Sequence, residues 1–439
     1  MRSHLVPILL AGALVIAGCG GVSNSSTSST STSTGGSGST TANVMAISVN
    51  GGPTANQLDG GIYPNGAFAS ATICVPGSTT SCVTVNGLLV DTGSTGLRVL
   101  QSAISTLNLP GVNASNGSAA YDCVSFVDDS YLWGPVQSAD VTLGGETASG
   151  LPIQVISTST NVPSTCSNGS NLNENTLATL GANGILGVGS EPTDCFYEGQ
   201  SVCSPTSGLT SAPYPAYYTC SGATCSPAFV TTSDQVANPV VRFAKDNNGV
   251  IVELPAVSGS AASISGSLVF GIGTESNNQL PSSATIFTMT CDDFTTTFEG
   301  QTYGITNPTT CAGPGSFIDS GSNGLFFPNA ANLPLCPTNT AAGDLSSFYC
   351  PASTESLTAT QLGATGASKN VSFSIQNAET LFTNSSTDSD SAFSGLAGSN
   401  PSGVGFDWGL PFFYGVNLYS SIDGQSVPGG APAAPWWAY

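Results

Sequence analysis

The chain has 439 residues, 40% of them apolar, which is enough to bury a large core and fits two or three domain-sized units better than one. Five Lys and Arg residues stand against 26 Asp and Glu residues, so the formal net charge is -21 at pH 7. This charge excludes a surface that binds nucleic acid phosphates or anionic lipid headgroups. Only 7% of the residues are charged, and a surface made mainly of Ser, Thr, Asn and Gly suits an acidic setting.

The N-terminal segment predicts export. Residues 1–19, MRSHLVPILLAGALVIAGC, have a basic start, an apolar stretch that is short for a membrane span, and small residues before Cys19. The end of this segment resembles the lipobox of bacterial lipoproteins, which implies lipidation of Cys19; the alternative is an ordinary secretory signal with a chance cysteine. Residues 20–42 are rich in Ser, Thr and Gly and predict a flexible linker. We therefore expect a lipid-anchored protein of the bacterial cell envelope, on the outer membrane and facing the periplasm or the surface.

The remaining cysteines predict disulfides. The chain has 13 cysteines, and without Cys19 an even number is left, which favours disulfide bonds in an exported protein. A metal site would need reduced thiolates, so no metal is expected. Five pairs are close in sequence and bracket turn-rich loops: Cys74 and Cys82, Cys195 and Cys203, Cys220 and Cys225, Cys291 and Cys311, and Cys336 and Cys350.

The pattern along the chain predicts an all-β fold. Short segments rich in Val, Ile, Thr and Phe are bounded by Gly, Pro, Asn or Ser, as is typical of strands and hairpins. In chain order they include FASATICV, SCVTVNGLLV, ADVTLGG, LPIQVIS, GVIVELPAV, GSLVFGIG and FTTTFEGQTYG. Helices are expected to be few and short, with QSAISTLNL at 101–109 and NPVVRFAKDNN at 238–248 as the best candidates.

Histidine chemistry is excluded from the mature protein. His4 is the only histidine, and it lies in the predicted signal segment. This rules out Ser-His-Asp and Cys-His nucleophiles and the usual zinc hydrolase sites. If the protein is an enzyme, carboxyl groups must carry its proton transfers.

Two stretches repeat one pattern around an aspartate. LLVDTGSTGLRVL at 88–100 and SFIDSGSNGLFF at 316–327 both place Asp, Thr or Ser, Gly and Ser after an apolar run, with Asp91 in one half and Asp319 in the other. One such aspartate can be held by the N–H groups of its own turn. Two such loops, facing each other across a pseudo-twofold axis, would share one proton and activate a water molecule. The alternative is that each aspartate only caps its turn.

These stretches resemble the two catalytic loops of pepsin-like aspartic peptidases. The resemblance is collinear through ADVTLGG, NGILGVGS, GSLVFGIGTES, DDFTTTFEGQTYG and FDWGLPFFYGVNLYSSIDG. It implies an all-β, bilobal architecture with pseudo-twofold symmetry, an N-terminal lobe at 43–235 with a Cys-rich insert at 194–225, and a C-terminal lobe at 236–439. The whole chain, with its lipobox and PWWAY tail, is also similar to an uncharacterised family of proteobacterial lipoproteins.

The resemblance implies a role for each matching residue. Asp91 and Asp319 would act as general base and general acid on a water molecule during peptide hydrolysis. The substrate would be an extended peptide or protein, no cofactor is required, and a monomer is expected. Thr92 and Ser320 would cross-link the two loops. Gly93 and Gly321 would allow the backbone to approach the aspartates closely. Ser94 and Ser322 would hold the outer carboxylate oxygens.

The chain departs from the family at the flap, the hairpin that closes a tyrosine over the substrate. Arg98 stands near the position of the tryptophan that supports this tyrosine in the family, and we expect it either to pair with a carboxylate or to approach the dyad. No Tyr-Gly pair marks the flap tip. Among Phe126, Tyr131 and Trp133 we favour Tyr131 as the flap residue; the alternative is an aromatic side chain packed on a strand face.

The expected function is an aspartic endopeptidase that works at acidic pH. One alternative keeps the fold without the chemistry, as a surface lipoprotein that binds a protein or a glycan, and another is an inert envelope lipoprotein. The acidic pairs Asp128 and Asp129, Asp292 and Asp293, and Asp388 and Asp390 could bind calcium, but they lack the ligand spacing of known loops and are interpreted as solvated turns.

Overall fold

The structure is a computed structural model, and a defined part of the chain is described by it. The predicted signal segment, Cys19, the linker up to residue 41 and Asp388 lie outside that part, so their predicted roles stay predictions. The described residues are 42–53, 63–158, 162–167, 169–170, 172–197, 200–212, 216–309, 311–340, 344–383, 390–400 and 405–439.

Strands dominate the first half of the chain, as its Val-, Ile- and Thr-rich segments predict. They are β1 (Val44–Gly51), β2 (Tyr63–Cys74), β3 (Cys82–Asp91), β4 (Thr95–Leu100), β5 (Ala120–Ser125), β6 (Tyr131–Leu143), β7 (Glu146–Ile156), β8 (Gly184–Val188), β9 (Phe196–Tyr197), β10 (Gln200–Ser201), β11 (Tyr217–Ser221) and β12 (Thr224–Pro227).

The second half has more and shorter strands. They are β13 (Gly249–Glu253), β14 (Ser260–Ala261), β15 (Ile264–Phe270), β16 (Ile286–Thr288), β17 (Thr295–Phe298), β18 (Gln301–Tyr303), β19 (Phe317–Ile318), β20 (Leu325–Phe327), β21 (Glu355–Leu362), β22 (Ser368–Ile375), β23 (Ala392–Phe393), β24 (Ala397–Ser399), β25 (Asp407–Trp408), β26 (Asn417–Ser421) and β27 (Trp436–Ala438).

Helices are few and short, as predicted. Both segments predicted to be helical form a single 3-10 turn, because isolated helices of so few residues are marginal without a packed apolar face. The α-helices are α1 (Ser164–Ser167), α2 (Leu177–Leu180) and α3 (Ala378–Thr383), and the 3-10 turns are Gln101–Ile104, Thr232–Asp234, Pro239–Arg242 and Leu410–Phe413.

Each half contains the same loop unit. In the first half, β8 lies between β3, which runs parallel to it, and β4, which runs antiparallel. In the second half, β25 lies in the same way between the parallel β19 and the antiparallel β20. The chain segment that links the two outer strands begins with Asp91 in one unit and Asp319 in the other. This repeat is a pseudo-twofold relation between the halves.

A 15-stranded sheet runs through both halves, with β1 paired to β15 at the junction. Its order is β12, β11, β5, β6, β7, β4, β8, β3, β2, β1, β15, β13, β26, β27 and β16. The main apolar cluster also has members from both halves, such as Val90 and Leu186 from one and Ile318 and Trp408 from the other. The two halves of the chain therefore share one sheet and one core, and the lobe boundary at 235 and 236 stays a prediction.

Six disulfides link the described cysteines. The five pairs predicted from their short spacing are confirmed. The sixth joins Cys123 in β5 to Cys166 in α1, 43 residues apart, a spacing that gave no local signal. This bond fastens the β5–β6 hairpin to the segment that follows β7.

Candidate active site

The two aspartates are held by matching local hydrogen bonds. Asp91 ends β3 and Asp319 follows β19, and the side chains of both are fully buried. Asp91 Oδ1 accepts a hydrogen bond from the Gly93 N–H at 2.8 Å, and its Oδ2 accepts one from the Ser94 hydroxyl group. Buried carboxyl groups require such donors, since an unsatisfied charge away from water costs several kcal/mol.

The second loop repeats the arrangement of the first. Asp319 Oδ1 accepts from the Gly321 N–H at 2.7 Å, and Oδ2 accepts from the Ser322 hydroxyl group at 2.9 Å. The repeated Gly and Ser positions of the sequence pattern therefore each supply one donor to the aspartate of their own loop. The serines lie where the sequence analysis expected them.

The two loops are cross-linked by Thr92 and Ser320. The N–H of Thr92 donates to Ser320 Oγ at 3.1 Å, and the N–H of Ser320 donates to Thr92 Oγ1 at 2.9 Å. Each hydroxyl group then donates to the opposite strand, Ser320 to the Val90 carbonyl at 2.7 Å and Thr92 to the Ile318 carbonyl at 3.3 Å. This reciprocal set fixes the distance between the aspartates through four buried hydrogen bonds.

Glycine is required where each loop meets the opposite aspartate. A Cβ atom at Gly93 would lie 2.5 Å from the carboxyl carbon of Asp319, and one at Gly321 would lie 2.8 Å from that of Asp91. Carbon atoms do not approach so closely, so a side chain at either position would push the carboxyl groups apart. The structure thus brings Asp91 and Asp319 together across the pseudo-twofold axis.

We expect Gly93→Ala to destabilise the protein by about 1–3 kcal/mol, because the added methyl group overpacks the contact with Asp319. Chemical denaturation of both proteins measures this difference. Gly111→Ala is the matched control, since a Cβ atom there meets no atom within 4 Å, and it should change the free energy of unfolding by less than about 0.5 kcal/mol. Equal effects of the two substitutions would contradict the close approach.

The surroundings of the two carboxyl groups oppose the ionisation of both. Burial raises the pKa of Asp91 and of Asp319, because the charged form loses its hydration. At Asp319 the negative charges of Asp91 and Asp407 raise the pKa further, whereas at Asp91 the interaction with Asp319 and the donors Ser94 and Gly93 oppose the effect of burial. Two buried acids in contact cannot both ionise easily, so the raised pKa of both groups favours a pair that shares one proton.

The hairpin of β5 and β6 occupies the place of the predicted flap, but it does not stand free. β11 pairs with β5, and β12 pairs with β11, so the Cys-rich insert widens the hairpin into four strands. Tyr131 packs with Trp133 and the Cys123–Cys166 disulfide, while Leu132 points to the opposite strand face and packs with Tyr63. The packing of Tyr131 thus matches the alternative, an aromatic side chain on a strand face, and its role as the flap residue stays a prediction.

A different tyrosine, Tyr63, lies in the electric field of the dyad. Burial raises its pKa, and the negative charges of Glu174, Asp91 and Asp319 raise it further. Its ring packs edge-on against Phe68 at a centroid distance of 5.5 Å. The sequence analysis missed Tyr63, because a lone aromatic residue before a Pro-Asn-Gly turn carries no signal for proximity to a residue far along the chain.

Asn65 fastens this segment to the other half of the molecule. Its Nδ2 donates to the Asn323 carbonyl at 2.7 Å and to the Phe393 carbonyl at 3.0 Å. Its Oδ1 accepts from the Phe393 N–H at 2.7 Å and from the Tyr414 hydroxyl group at 2.6 Å. The side chain is fully buried, and the backbone is left-handed at φ 52°, which asparagine tolerates better than most residues. Asn65 thereby holds Tyr63 at the junction of the two halves.

Arg98 is buried in a polar network beside the hairpin. Its guanidinium group pairs with Asp122 of β5 and, at 2.9 Å, with Asp194 of the Cys-rich insert. It also donates to Gln154 of β7 at 2.9 Å, and the Tyr217 hydroxyl group donates to Asp194 at 2.5 Å. Of the two expectations for Arg98, pairing with a carboxylate describes these contacts. The network joins β4, the hairpin and the insert.

Two features are absent from the described part of the chain. Its His, Cys, Asp and Glu side chains form no group of three or more that could hold a metal ion. Within the same residues, no helix has both the length and the apolar character needed to cross a bilayer.

Comparison with known proteins gives a family match and a similarity to solved structures. A sequence model of the family described as "Protein of unknown function (DUF3443)" matches residues 39–439. Curated protein sequences yield no match. The crystal structure of aspartic proteinase from Irpex lacteus is similar, with 17% identity, 87% of this chain and 94% of that chain covered, and a TM-score of 0.44.

The fold prediction is confirmed by the strands and by the repeated loop unit. The described chain is all-β and bilobal, of pepsin-like type, with an aspartate at the same place in each half. The predicted similarity to an uncharacterised family is confirmed by the family match.

Proposed function

This chain belongs to a protein family of unknown function, so its chemistry must be read from the site itself, and we propose that it is an aspartic endopeptidase. The observation that carries the proposal is the pair of buried, hydrogen-bonded carboxyl groups of Asp91 and Asp319, held by cross-linked loops. A binding protein has no need for two acids in contact that resist joint ionisation.

The arrangement supports a water-activating mechanism. With Asp91 as the charged member of the pair, Asp91 would take a proton from a water molecule as the water oxygen attacks the carbonyl carbon of the substrate. Asp319 would give its proton to the leaving amine as the C–N bond breaks, and the proton on Asp91 would then pass to Asp319, which restores the starting pair. The N–H groups of Gly93 and Gly321 and the hydroxyl groups of Ser94 and Ser322 hold the carboxyl oxygens in position for both transfers.

The substrate would be an extended peptide or protein, bound by backbone hydrogen bonds across the cleft between the halves. The acidic composition suits neutral or cationic substrates, and the predicted signal and lipobox would place the enzyme in the cell envelope on a lipid anchor. No metal or organic cofactor takes part in this mechanism. We further propose that the enzyme acts as a monomer, since each half supplies one aspartate.

The proposal is tested with the purified protein and a diverse peptide mixture at acidic to neutral pH, with and without pepstatin. We expect pepstatin-sensitive cleavage, and Asp91→Asn and Asp319→Asn should each lower kcat/KM by about 10³-fold or more. Asp293→Asn is the control, because Asp293 is a buried carboxyl group outside the two loops. If the folded, disulfide-bonded protein cleaves no peptide at any pH, the inactive, ligand-binding lipoprotein becomes the better account.

A further inference from the structure

A third buried aspartate, Asp407, lies beside the dyad. It is fully buried and opens β25, the short strand between β19 and β20. Its neighbours along the chain, Phe406 and Trp408, point to the opposite strand face, where they stack on each other at a centroid distance of 4.5 Å. The carboxyl group of Asp407 is therefore on the other face of the strand, outside this aromatic cluster.

That face is turned to Ser322 of the second catalytic loop. The Ser322 hydroxyl group, which donates to Asp319 Oδ2 at 2.9 Å, also interacts with the carboxyl group of Asp407. However, neither oxygen of Asp407 accepts a well-aligned hydrogen bond from the residues that the structure describes. A carboxylate without donors is poorly stabilised, whereas a protonated carboxyl group can donate to the serine oxygen. The geometry favours a protonated Asp407 in the resting protein.

The fold does not require an acid at this position. Asp407 pairs with Phe317 of β19, which stands two residues before Asp319. In the first half, Leu89 stands two residues before Asp91, and its partner is Ile185. Ile185 is therefore the counterpart of Asp407. Ile185 is fully buried and packs in an apolar cluster with Leu89 and Tyr63. The two halves therefore differ here by an ionisable group. Ser322 has Asp407 beside it, whereas in the first half the position equivalent to Asp407 is the apolar Ile185.

Asp91 and Asp319 are the titratable groups that face Asp407. The charge of Asp407 acts on Asp319, and the charge of Asp91 acts on Asp407. The strands packed against it, β19 and β20, consist of Phe, Ile and Leu residues, and β24 beyond them of Ala, Gly and Ser. No cation on these strands offsets a charge on Asp407, so ionisation of Asp407 adds directly to the negative charge of the dyad.

We propose that Asp407 is a third proton-binding group of the site, and that it extends to higher pH the range in which the dyad keeps its shared proton. The inference rests on the proposed function, because it concerns the proton that the peptidase mechanism uses. Asp407 is a positioning residue: it acts on Asp319 through Ser322 and through its charge, and it has no contact with the scissile bond. As the pH rises, its ionisation places a negative charge next to Asp319 and opposes loss of the shared proton.

The test compares the pH dependence of kcat/KM in the full chain with that in Asp407→Asn and Asp407→Ile. Asparagine keeps the shape of the side chain, isoleucine restores the residue type of the other half, and neither titrates. We expect the fall of kcat/KM on the alkaline side to occur about one pH unit lower in both variants than in the unmodified protein. The fall on the acid side should be unchanged. Asp293→Asn, which removes another buried carboxyl group, should leave the pH dependence of kcat/KM unchanged on both sides.

A purely structural role for Asp407 predicts something else. Lower activity or lower stability, with the pH dependence of kcat/KM unchanged on both sides, would overturn the proposal. Infrared spectroscopy of the protein across the same pH range separates this outcome from a failure of the peptidase function. If the unmodified protein cleaves nothing, a protonated carboxyl band that Asp407→Asn removes still supports a proton on Asp407, and an unchanged band refutes it.

Discussion

Replacement of Arg98 by methionine is expected to destabilise the protein by about 3–5 kcal/mol at neutral pH. Methionine fills a similar volume but leaves Asp122 and Asp194 without their shared cation in a site where Arg98 is 1% exposed. Breaking a buried ion pair on one side costs more than the pair contributes, since the remaining charge stays buried without compensation. The loss should shrink at acidic pH, where both aspartates can bind protons.

Chemical denaturation at two pH values measures this effect. The matched control is Lys245→Met, which breaks the ion pair with Glu275, whose side chains are 57% and 37% exposed. Exposed pairs contribute about 1 kcal/mol or less, so the control should be nearly neutral at both pH values. An Arg98 variant as stable as the control would mean that the two aspartates are protonated even at neutral pH and need no cation.

The second large effect concerns pH itself: we expect the folded protein to be most stable at acidic pH and to lose stability towards neutral pH. Burial raises the pKa of Asp91, Asp319, Asp407 and Glu174, and raises that of Asp128 to about 6. A carboxyl group with a raised pKa in the folded state contributes stability that is fully present below its unfolded pKa of about 4. That contribution is lost as the pH rises through the folded-state pKa.

Asp128 shows how much one such carboxyl group contributes to the free energy of unfolding. Its pKa rises from 3.8 to about 6, which corresponds to roughly 3 kcal/mol lost across that interval. Thermal unfolding from about pH 3 to about pH 8 should show the decline. Asp128→Asn should flatten it, while Asp129→Asn, at the exposed neighbouring position, should not. A midpoint temperature of unfolding that rises with pH would show that the carboxyl groups are charged and paired in the folded state.

The sequence could predict the dyad because its loops are local patterns that occur twice. Asp91 and Asp319 each follow an apolar strand and precede a Gly-Ser turn, and a short turn has few ways to hold a carboxyl group. The cross-link between Thr92 and Ser320 is expected only from the resemblance to aspartic peptidases. Local patterns also predict the five disulfides whose cysteines are close in sequence, since their loops are short enough to fix the partner.

Other parts of the site depend on contacts between distant segments. Tyr63 reaches the dyad because Asn65 is bound to the other half, and the link of Cys123 to Cys166 follows from the path of the chain after β7. Asp407 did carry a signal, since an aspartate within the apolar run FDWGL is rare in a chain with 7% charged residues. Like Asp91 and Asp319, Asp407 is a charged residue in an apolar run, but without a Gly-Ser turn after it the pattern does not indicate a partner.

The hydrogen bonds between the halves also determine when the site can form. Thr92 and Ser320 are 228 residues apart, and Asn65 and Phe393 are 328 apart, so neither contact exists until nearly the whole chain is available. Contacts over such separations form late, because the entropy of closing long loops must be overcome first. A partly synthesised chain would therefore carry one aspartate without its partner, and the proposed hydrolysis could begin only after the chain had folded.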